Sequence, residues 1–345
     1  MFNTKIGKYL LLFSVVSAVT YIASKYNAGI DNVDEYDIIK KYLLNDSPLY
    51  GFNRPKIWIH SKYELNARKW KDFQSRNTTD LNQPYLHLTI KSIINHCGND
   101  FNICLIDDES FSKLLPSWEI DLVNSPEPMK SHYRELGMLQ LIYYYGGMIV
   151  PNSFVCLKNL KPLYDHHISI KKPFVCENIN RSVNLLKQKT TLPFLPSVFF
   201  MGAAKNDAVI KIIVEHVKSR NKNPYFNTEA DFLADTSNAL LDLAKSDHII
   251  LMLGQSVGVK TRNKKQILLD DLMSENYLDL ADDIYGIYIP ADEVLSRTKY
   301  QWFASLSQEE ILESNLVIAK YIKASIVNST DIYEKTSEVK SVVSI

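Results

Sequence analysis

Apolar residues recur at three- and four-residue steps through one central stretch of the chain. The stretch is SHYRELGMLQLIYYY, residues 131–145. Because residues at this spacing share one face of a helix, the stretch predicts a long helix with a buried side. The residues that carry the period are Leu136, Leu139, Ile142 and Tyr143.

A two-glycine corner follows the predicted helix. Gly146-Gly147 ends the helix, because glycine enters left-handed backbone at little cost. The wholly apolar Met148-Ile149-Val150 then predicts a short strand that is covered on both faces, as in a parallel sheet. Pro151 to Ser153 form a polar tip at the carboxyl end of that strand, which is where open α/β sheets bind ligands.

Apolar runs and helical periods alternate along most of the chain, and this alternation predicts an α/β fold. Predicted strands are 57–59, 101–106, 173–175, 195–202, 249–253 and 284–290. Predicted helices are 84–96, 109–115, 207–220, 232–243 and 308–323, with a turn at 161–165.

Ionisable side chains follow two further predicted strands. His60 follows the first strand, where it either faces a ligand or is simply satisfied at a strand end. Asp107 and Asp108 follow the second strand. These carboxylates either bind a cation or a ribose, or one of them caps the next helix, and aspartate is well suited to capping.

The central stretch resembles the sugar-transferase families that include capsular polysaccharide synthesis proteins and initiating mannosyltransferases. Their pattern is a Ser-Asp pair, an arginine three residues later, Tyr-Gly-Gly, an apolar strand and Asp-x-Asp. Tyr145-Gly146-Gly147 and its flanking elements match this pattern. The family aspartate falls on Glu135, its arginine on Met138 and its Asp-x-Asp on Pro151-Asn152-Ser153.

The resemblance implies a GT-A-like, Rossmann-like fold, with a mixed and mostly parallel sheet flanked by helices. It also implies a nucleotide-sugar donor and a glycan acceptor, a catalytic role for Glu135, and a glycine-containing turn near the donor at 254–258. The resemblance and the positions at strand ends together give the candidate donor-binding residues Ile59, His60, Asp107, Asp108, Arg134, Gly146, Gly147, Asn152 and Ser153, although the acidic residues after the second strand are chiefly structural in the family.

The polar tip lacks the carboxylates with which such enzymes hold a divalent cation. Mg²⁺ and Mn²⁺ prefer charged oxygen ligands, and this tip offers only neutral ones. We therefore expect no metal bound by these three residues alone. The diphosphate would instead need a metal held by Asp107 and Asp108, or cationic side chains, for which the candidates are Arg68, Arg134, Lys158 and Lys161.

Composition narrows the possible functions. Lysine plus arginine equals aspartate plus glutamate, 39 each, so no overall basic field indicates nucleic acid. The four cysteines show no C-x-x-C spacing, which favours buried free thiols over a zinc site. There is also no G-x-S-x-G or H-E-x-x-H motif to indicate a hydrolase.

The amino-terminal region predicts a membrane anchor. Sixteen uncharged residues lie between Lys8 and Lys25, somewhat fewer than the roughly 20 that span a bilayer. A signal anchor, a cleaved signal peptide and a buried helix are the three interpretations. Lysines before the segment and acids after it place the amino terminus in the cytoplasm and the globular domain on the opposite side. The predicted organisation is an anchor at 1–26, a stem at 27–53, a transferase-like α/β domain at 54–324 and a flexible tail at 325–345.

Two functions follow from these patterns. The first is a membrane-anchored glycosyltransferase with a weak or absent metal site. The second is a transferase-fold protein that has lost catalysis and binds a glycan or a partner at the membrane. Nucleotide-sugar binding with and without a chelator distinguishes them.

Overall fold

The computed structural model describes residues 54–61, 83–116, 118–122, 124–126, 129–177, 196–222 and 229–327, without the side chains of 229–234. The predicted anchor and stem, and most of the predicted tail, lie outside these ranges. Within them, no helix has both the length and the apolar character required to span a membrane.

Eight strands and eleven α-helices make up the described part of the chain. The strands are β1 (Lys56–His60), β2 (Asn102–Ile106), β3 (Gly147–Ile149), β4 (Phe154–Cys156), β5 (Phe174–Glu177), β6 (Pro196–Ala203), β7 (Ile250–Met252) and β8 (Gly286–Tyr288). The first six helices are α1 (Tyr85–Cys97), α2 (Ser110–Leu114), α3 (Met129–Tyr145), α4 (Lys161–Ser169), α5 (Ala208–Lys222) and α6 (Glu229–Lys245). The last five are α7 (Leu269–Leu272), α8 (Ala291–Ser296), α9 (Gln301–Ser305), α10 (Gln308–Glu313) and α11 (Val317–Ile326).

Six strands form one mixed sheet in the order β2-β1-β3-β6-β5-β7. The pairs β2–β1, β1–β3 and β5–β7 are parallel, whereas β6 runs antiparallel to both of its neighbours. A separate two-stranded sheet pairs β4 with β8 antiparallel. The expected mixed, mostly parallel sheet is therefore present.

Helices cover both faces of the sheet. Successive side chains of a strand point to opposite faces, so Trp58 of β1 faces one layer while Ile57 and Ile59 face the other. Trp58 belongs to a buried cluster with residues of α3 and α5, and Ile57 and Ile59 are also buried. On a second layer, α1 packs against β4 and α11. Burial on both faces explains why the strands are apolar without alternation.

Two predicted elements differ from the structure. The predicted turn at 161–165 is instead the start of helix α4, because Pro162 lies in the first helical turn, where its missing N–H costs nothing. The single helix predicted over 308–323 is two helices, α10 and α11. Ser307 caps α10 through a hydrogen bond from the Glu310 N–H, and the chain becomes extended at Ser314 before α11 begins.

Candidate functional site

Strand β1 marks the point at which the chain order of the sheet reverses. From β1 the chain goes to β2 on one side and then to β3 on the other, and all three strands are parallel. In open α/β sheets, ligands bind outside the carboxyl ends of the strands at such a reversal. The residues at this edge are His60 at the end of β1 and Ser61 after it, Asp107 and Asp108 after β2, and Pro151 to Ser153 after β3.

Strand register brings the ends of β1 and β3 to the same level. Trp58 pairs with Ile149, and the Val150 N–H donates to the Trp58 carbonyl over 3.1 Å. His60 and Pro151 each lie two residues further on, and neighbouring strands are about 4.8 Å apart. The polar tip therefore lies beside the end of β1 at the sheet edge.

Asp108 is the centre of a charged cluster at this edge. Arg134 of α3 donates through Nε to Oδ1 over 2.8 Å and through Nη2 to Oδ2 over 2.6 Å. His60 Nε2 lies 2.9 Å from Oδ1 of the same carboxylate. The His60 ring also stacks on Phe111 of α2, with centroids 5.5 Å apart. Two predicted donor-binding residues, His60 and Arg134, thus both contact a third, Asp108.

The cluster keeps Asp108 ionised. Partial burial raises the pKa of this carboxyl, but hydrogen bonds and charge from Arg134 and His60 outweigh burial and hold the pKa well below its usual range. Both carboxylate oxygens therefore already have partners in this conformation, and the Arg134 guanidinium is used by Asp108.

Asp107 makes a capping contact to helix α2, one of its two predicted roles, although the residue at the N-cap position is Glu109. Its Oδ1 accepts the Ser110 N–H over 2.9 Å and the Ser110 hydroxyl over 2.7 Å. Ser110 is the first residue of α2, so Asp107 satisfies a backbone donor that the helix itself leaves open.

The two glycines of the corner have positive φ, 69° at Gly146 and 103° at Gly147. A Cβ on Gly147 would overlap the Lys56 carbonyl, and one on Gly146 would lie 2.8 Å from the Lys205 nitrogen. The Trp58 indole donates to the Gly146 carbonyl over 3.0 Å. Both glycines are buried, so they shape the edge and allow β3 to approach β1 closely.

The polar tip is held from both sides. Thr89 of α1 donates its hydroxyl to the Asn152 carbonyl over 2.5 Å, and the Ile289 N–H donates to the Ser153 carbonyl over 3.1 Å. Ser153 is only 1% exposed, whereas Pro151 and Asn152 are half-buried. Of the three residues, only Pro151 and Asn152 offer side-chain surface to a ligand in this conformation.

Pro151 also lines a small pocket with room for about one water molecule. The other lining residues are Phe154, Cys176, Glu177, Ser197, Phe199, Phe200, Val257 and Tyr288. Strand β6 is antiparallel, so its first residues lie at the same edge as the last residues of β3 and β5. The pocket therefore opens beside the tip, at the carboxyl edge of the sheet.

Glu177 is the acidic residue among those that line this pocket. Its side chain is buried, it forms an ion pair with Lys260, and its Oε2 accepts the Gly254 N–H over 3.1 Å. Burial raises the pKa of Glu177 even though Lys260 and Gly254 act in the opposite direction. Glu177 and Lys260 were not among the predicted site residues. The signal that could have found Glu177 is the one used for Asp107, a polar residue directly after an apolar strand.

Several predicted site residues lie elsewhere or are inaccessible. The side chain of Ile59 is fully buried, and Glu135 is 8% exposed on α3. Lys158 donates to the Asp282 carbonyl over 2.9 Å, and Lys161 pairs with Asp165 on α4. Arg68 lies outside the described residues. Nothing in these contacts tests a catalytic role for Glu135, which stays a prediction.

The donor set of the tip does not fit a conventional divalent-cation site. Pro151 offers only its carbonyl, Ser153 is buried and Asn152 is neutral, whereas hard cations favour charged oxygens. Among the described residues, no group of three or more His, Cys, Asp or Glu side chains is arranged to hold a metal ion.

Comparison with known proteins gives weak structural likenesses only. No family model and no curated protein matches the chain. The PaToxG glycosyltransferase is 15% identical over 62% of this chain and 80% of its own, with a TM-score of 0.34. The apo form of the glycosyltransferase GlyE of Streptococcus pneumoniae TIGR4 is 9% identical over 83% of this chain and 64% of its own, with a TM-score of 0.38. The galactosyltransferase LgtC, in complex with donor and acceptor sugar analogues, is 11% identical over 81% of this chain and 99% of its own, also with a TM-score of 0.38. At these scores and identities, a functional proposal has to rest on the residues of the chain itself.

Proposed function

We propose that this chain is a glycosyltransferase that takes a sugar from a nucleotide-diphosphate donor and transfers it to a glycan. The donor would lie at the carboxyl edge of the sheet, between the ends of β1 and β3. The observation that supports this most is that the polar tip at the end of β3 lies beside the end of β1, where the strand order reverses.

The pocket beside the tip is small and its lining is almost wholly apolar, with four aromatic side chains in the wall. Binding sites for small molecules commonly have apolar walls with a few fixed polar groups. The aromatic wall would pack against an apolar face of the donor that lies on the tip. Glu177 lies in the same wall, where its carboxylate is held by Lys260 and the Gly254 N–H.

The proposed reaction does not use a metal bound by the tip, because the tip lacks carboxylates. Displacement of a nucleoside diphosphate still requires stabilisation of its developing negative charge. His60 lies at the end of β1, where its ring is fixed by Asp108 and Phe111. We assign to His60 a hydrogen bond to the diphosphate. This contact would place the leaving group beside β1, where the strand order reverses.

Nucleotide-sugar binding tests the proposal. A panel of nucleoside diphosphates and their sugars would be titrated by calorimetry, with and without EDTA. We expect saturable binding that EDTA leaves unchanged, together with release of nucleoside diphosphate when a glycan acceptor is supplied. His60→Gln retains a donor for Asp108 and is expected to weaken binding about tenfold, the loss of one charge-assisted hydrogen bond. His248→Gln, at an exposed histidine, is the matched control.

A second candidate is a transferase-fold protein without catalysis that binds a glycan or a partner. One observation favours it: Asp108 and Arg134 hydrogen-bond to each other, so in this conformation these bonds do not go to a donor. Glycan binding in the absence of any nucleotide binding would support this second function and contradict the first.

We also propose that the chain is anchored in a membrane by residues 9–24, with the globular domain on the side opposite the amino terminus. The support is the uncharged run and the charge asymmetry around it. Retention in the membrane fraction after carbonate extraction, with protection of the globular domain from protease in sealed vesicles, would agree with this topology. Full release by carbonate would contradict it.

A further inference from the structure

Three hydrogen bonds join helix α1 and the residue Asp100 just after it to the segment 152–159, and we call this contact the seam. Along α1, Thr89 donates to the Asn152 carbonyl over 2.5 Å, and the Ser92 hydroxyl accepts the Cys156 N–H over 2.8 Å. Just beyond the end of α1, Asp100 accepts from the Asn159 amide over 2.5 Å. These contacts follow the two segments in the same order, so they hold strand β4 alongside the helix.

A pair of thiols lies inside this seam. Cys97 is the last residue of α1, Cys156 is the last residue of β4, and their Sγ atoms are 3.9 Å apart. Both side chains are fully buried. Since hydrogen bonds hold the seam on each side of the pair, the helix end and the strand end are fixed relative to each other.

We propose that Cys97 and Cys156 form a disulfide that ties the end of helix α1 to strand β4, just after the polar tip. The two sulfurs have to approach from 3.9 Å to the bond length of about 2.05 Å, a small movement for side chains whose backbones are already aligned. This inference is independent of the glycosyltransferase proposal.

The bond would form by two thiol–disulfide exchange steps. The thiolate of one cysteine would attack a low-molecular-weight disulfide such as oxidised glutathione and expel one thiolate. The other cysteine, on losing its proton, would then attack the mixed disulfide and release the second thiol. Two protein thiols are oxidised, and one small disulfide is reduced to two thiols.

Burial of both sulfurs means that the bond forms as the chain folds or during local opening. Disulfides persist in oxidising compartments, and the membrane topology proposed above places the globular domain outside the cytoplasm. Cys104 and Cys176 act as internal references. They are buried too, and burial raises the pKa of Cys104 to about 12 and that of Cys176 still further.

The test uses the full chain, purified in detergent and unfolded under reducing conditions. The chain is refolded in glutathione buffers of increasing oxidised fraction, quenched by alkylation in denaturant and mapped by mass spectrometry. We expect one peptide pair linked through Cys97 and Cys156, with Cys104 and Cys176 alkylated. Alkylation of all four cysteines in the most oxidising buffer would overturn the proposal, and so would a bond to Cys104 or Cys176.

A second measurement keeps the test independent of variants that fail to fold. The thermal midpoint of the oxidised wild-type chain is compared with that of the same sample after reduction. We expect the oxidised form to melt higher by about 5 °C, because the bond closes a long loop. Cys97→Ser should abolish the difference, and Cys104→Ser, the matched control, should retain it. An equal midpoint for oxidised and reduced wild type would contradict the proposed role of the bond.

Discussion

Arg134 donates hydrogen bonds to both carboxylate oxygens of Asp108, with nitrogen–oxygen distances of 2.8 and 2.6 Å. The pair connects helix α3 to the loop after β2, and His60 adds the end of β1 to the same carboxylate. A single aspartate therefore fixes three elements at the edge where the proposed donor lies. Arginine suits this position because its planar fork matches a carboxylate.

Loss of the arginine charge should destabilise the fold. Arg134→Met keeps the apolar stem but leaves Asp108 partly buried, with His60 as its remaining contact in the cluster. We expect the free energy of unfolding to fall by about 2–4 kcal/mol, the usual cost of leaving one partner of a buried pair behind. Urea unfolding measures this change.

The matched control is Lys245→Met, which removes an exposed pair with Asp242. Exposed pairs contribute less than about 1 kcal/mol, so this variant should unfold close to wild type. An equal loss of unfolding free energy in the two variants would show that burial of the Asp108 cluster does not strengthen its contribution to stability.

A second prediction concerns acid stability. His167 of α4 is buried with its ring centroid 4.4 Å from that of Phe174, and burial, followed by the charge of His166, lowers its pKa to about 4. Between pH 4 and the unfolded value of about 6.5, the unfolded chain binds more protons than the folded one. The free energy of unfolding contributed by His167 is therefore full above about pH 6.5 and is lost as the pH falls toward 4.

His167→Gln should flatten this part of the stability profile, measured by urea unfolding at half-unit steps of pH. His248→Gln, at an exposed histidine, should leave the slope as in wild type. A wild-type profile that is already flat from pH 4 to 6.5 would mean that His167 is charged in the folded state.

Gly147 gives a third prediction. Its φ of 103° is unfavourable for any side chain, and a Cβ there would overlap the Lys56 carbonyl of β1. Gly147→Ala should therefore cost more than about 3 kcal/mol of unfolding free energy, since strain and a backbone clash act together. Lys211→Ala, at an exposed position of α5, should change stability by less than about 0.5 kcal/mol. Similar midpoints for the two variants in thermal unfolding would contradict this account.

The sequence predicted the elements that depend on local pattern. Apolar runs located β1, β2 and β3, and the Tyr145-Gly146-Gly147 corner located the tip, because burial on both faces and glycine backbone leave direct marks in the residue order. The antiparallel direction of β6 leaves no such mark. Pro162 suits a turn, but proline is equally typical of a first helical turn, and the structure has the helix.

Contacts between side chains that are far apart in the chain could not be predicted from the sequence for a related reason. Lys260 lies in a short basic run, for which a solvated face is the simplest interpretation, yet it pairs with Glu177 from a distant strand. Likewise, Asp108 and Arg134 were each singled out, but nothing in their local context indicates that they satisfy each other. Such contacts depend on sheet order, which this sequence did not specify.

The last prediction separates support of the tip from overall stability. Thr89→Val keeps the shape of a fully buried side chain but removes the hydroxyl that donates to the Asn152 carbonyl. We expect a loss of about 1 kcal/mol in unfolding free energy, the usual worth of one hydrogen bond. Because the proposed donor lies between the ends of β1 and β3, beside Asn152, nucleotide-sugar affinity should also fall several-fold, measured by calorimetry.

Ser92→Ala is the matched control for this experiment. Ser92 lies one turn further along the same helix and bonds to the Cys156 N–H, away from the tip. It should cost a similar amount of stability while leaving the affinity unchanged, because it loosens the seam without freeing Asn152. If both variants weaken nucleotide-sugar binding equally, the effect comes from general loosening of α1, and the placement of the donor beside Asn152 is wrong.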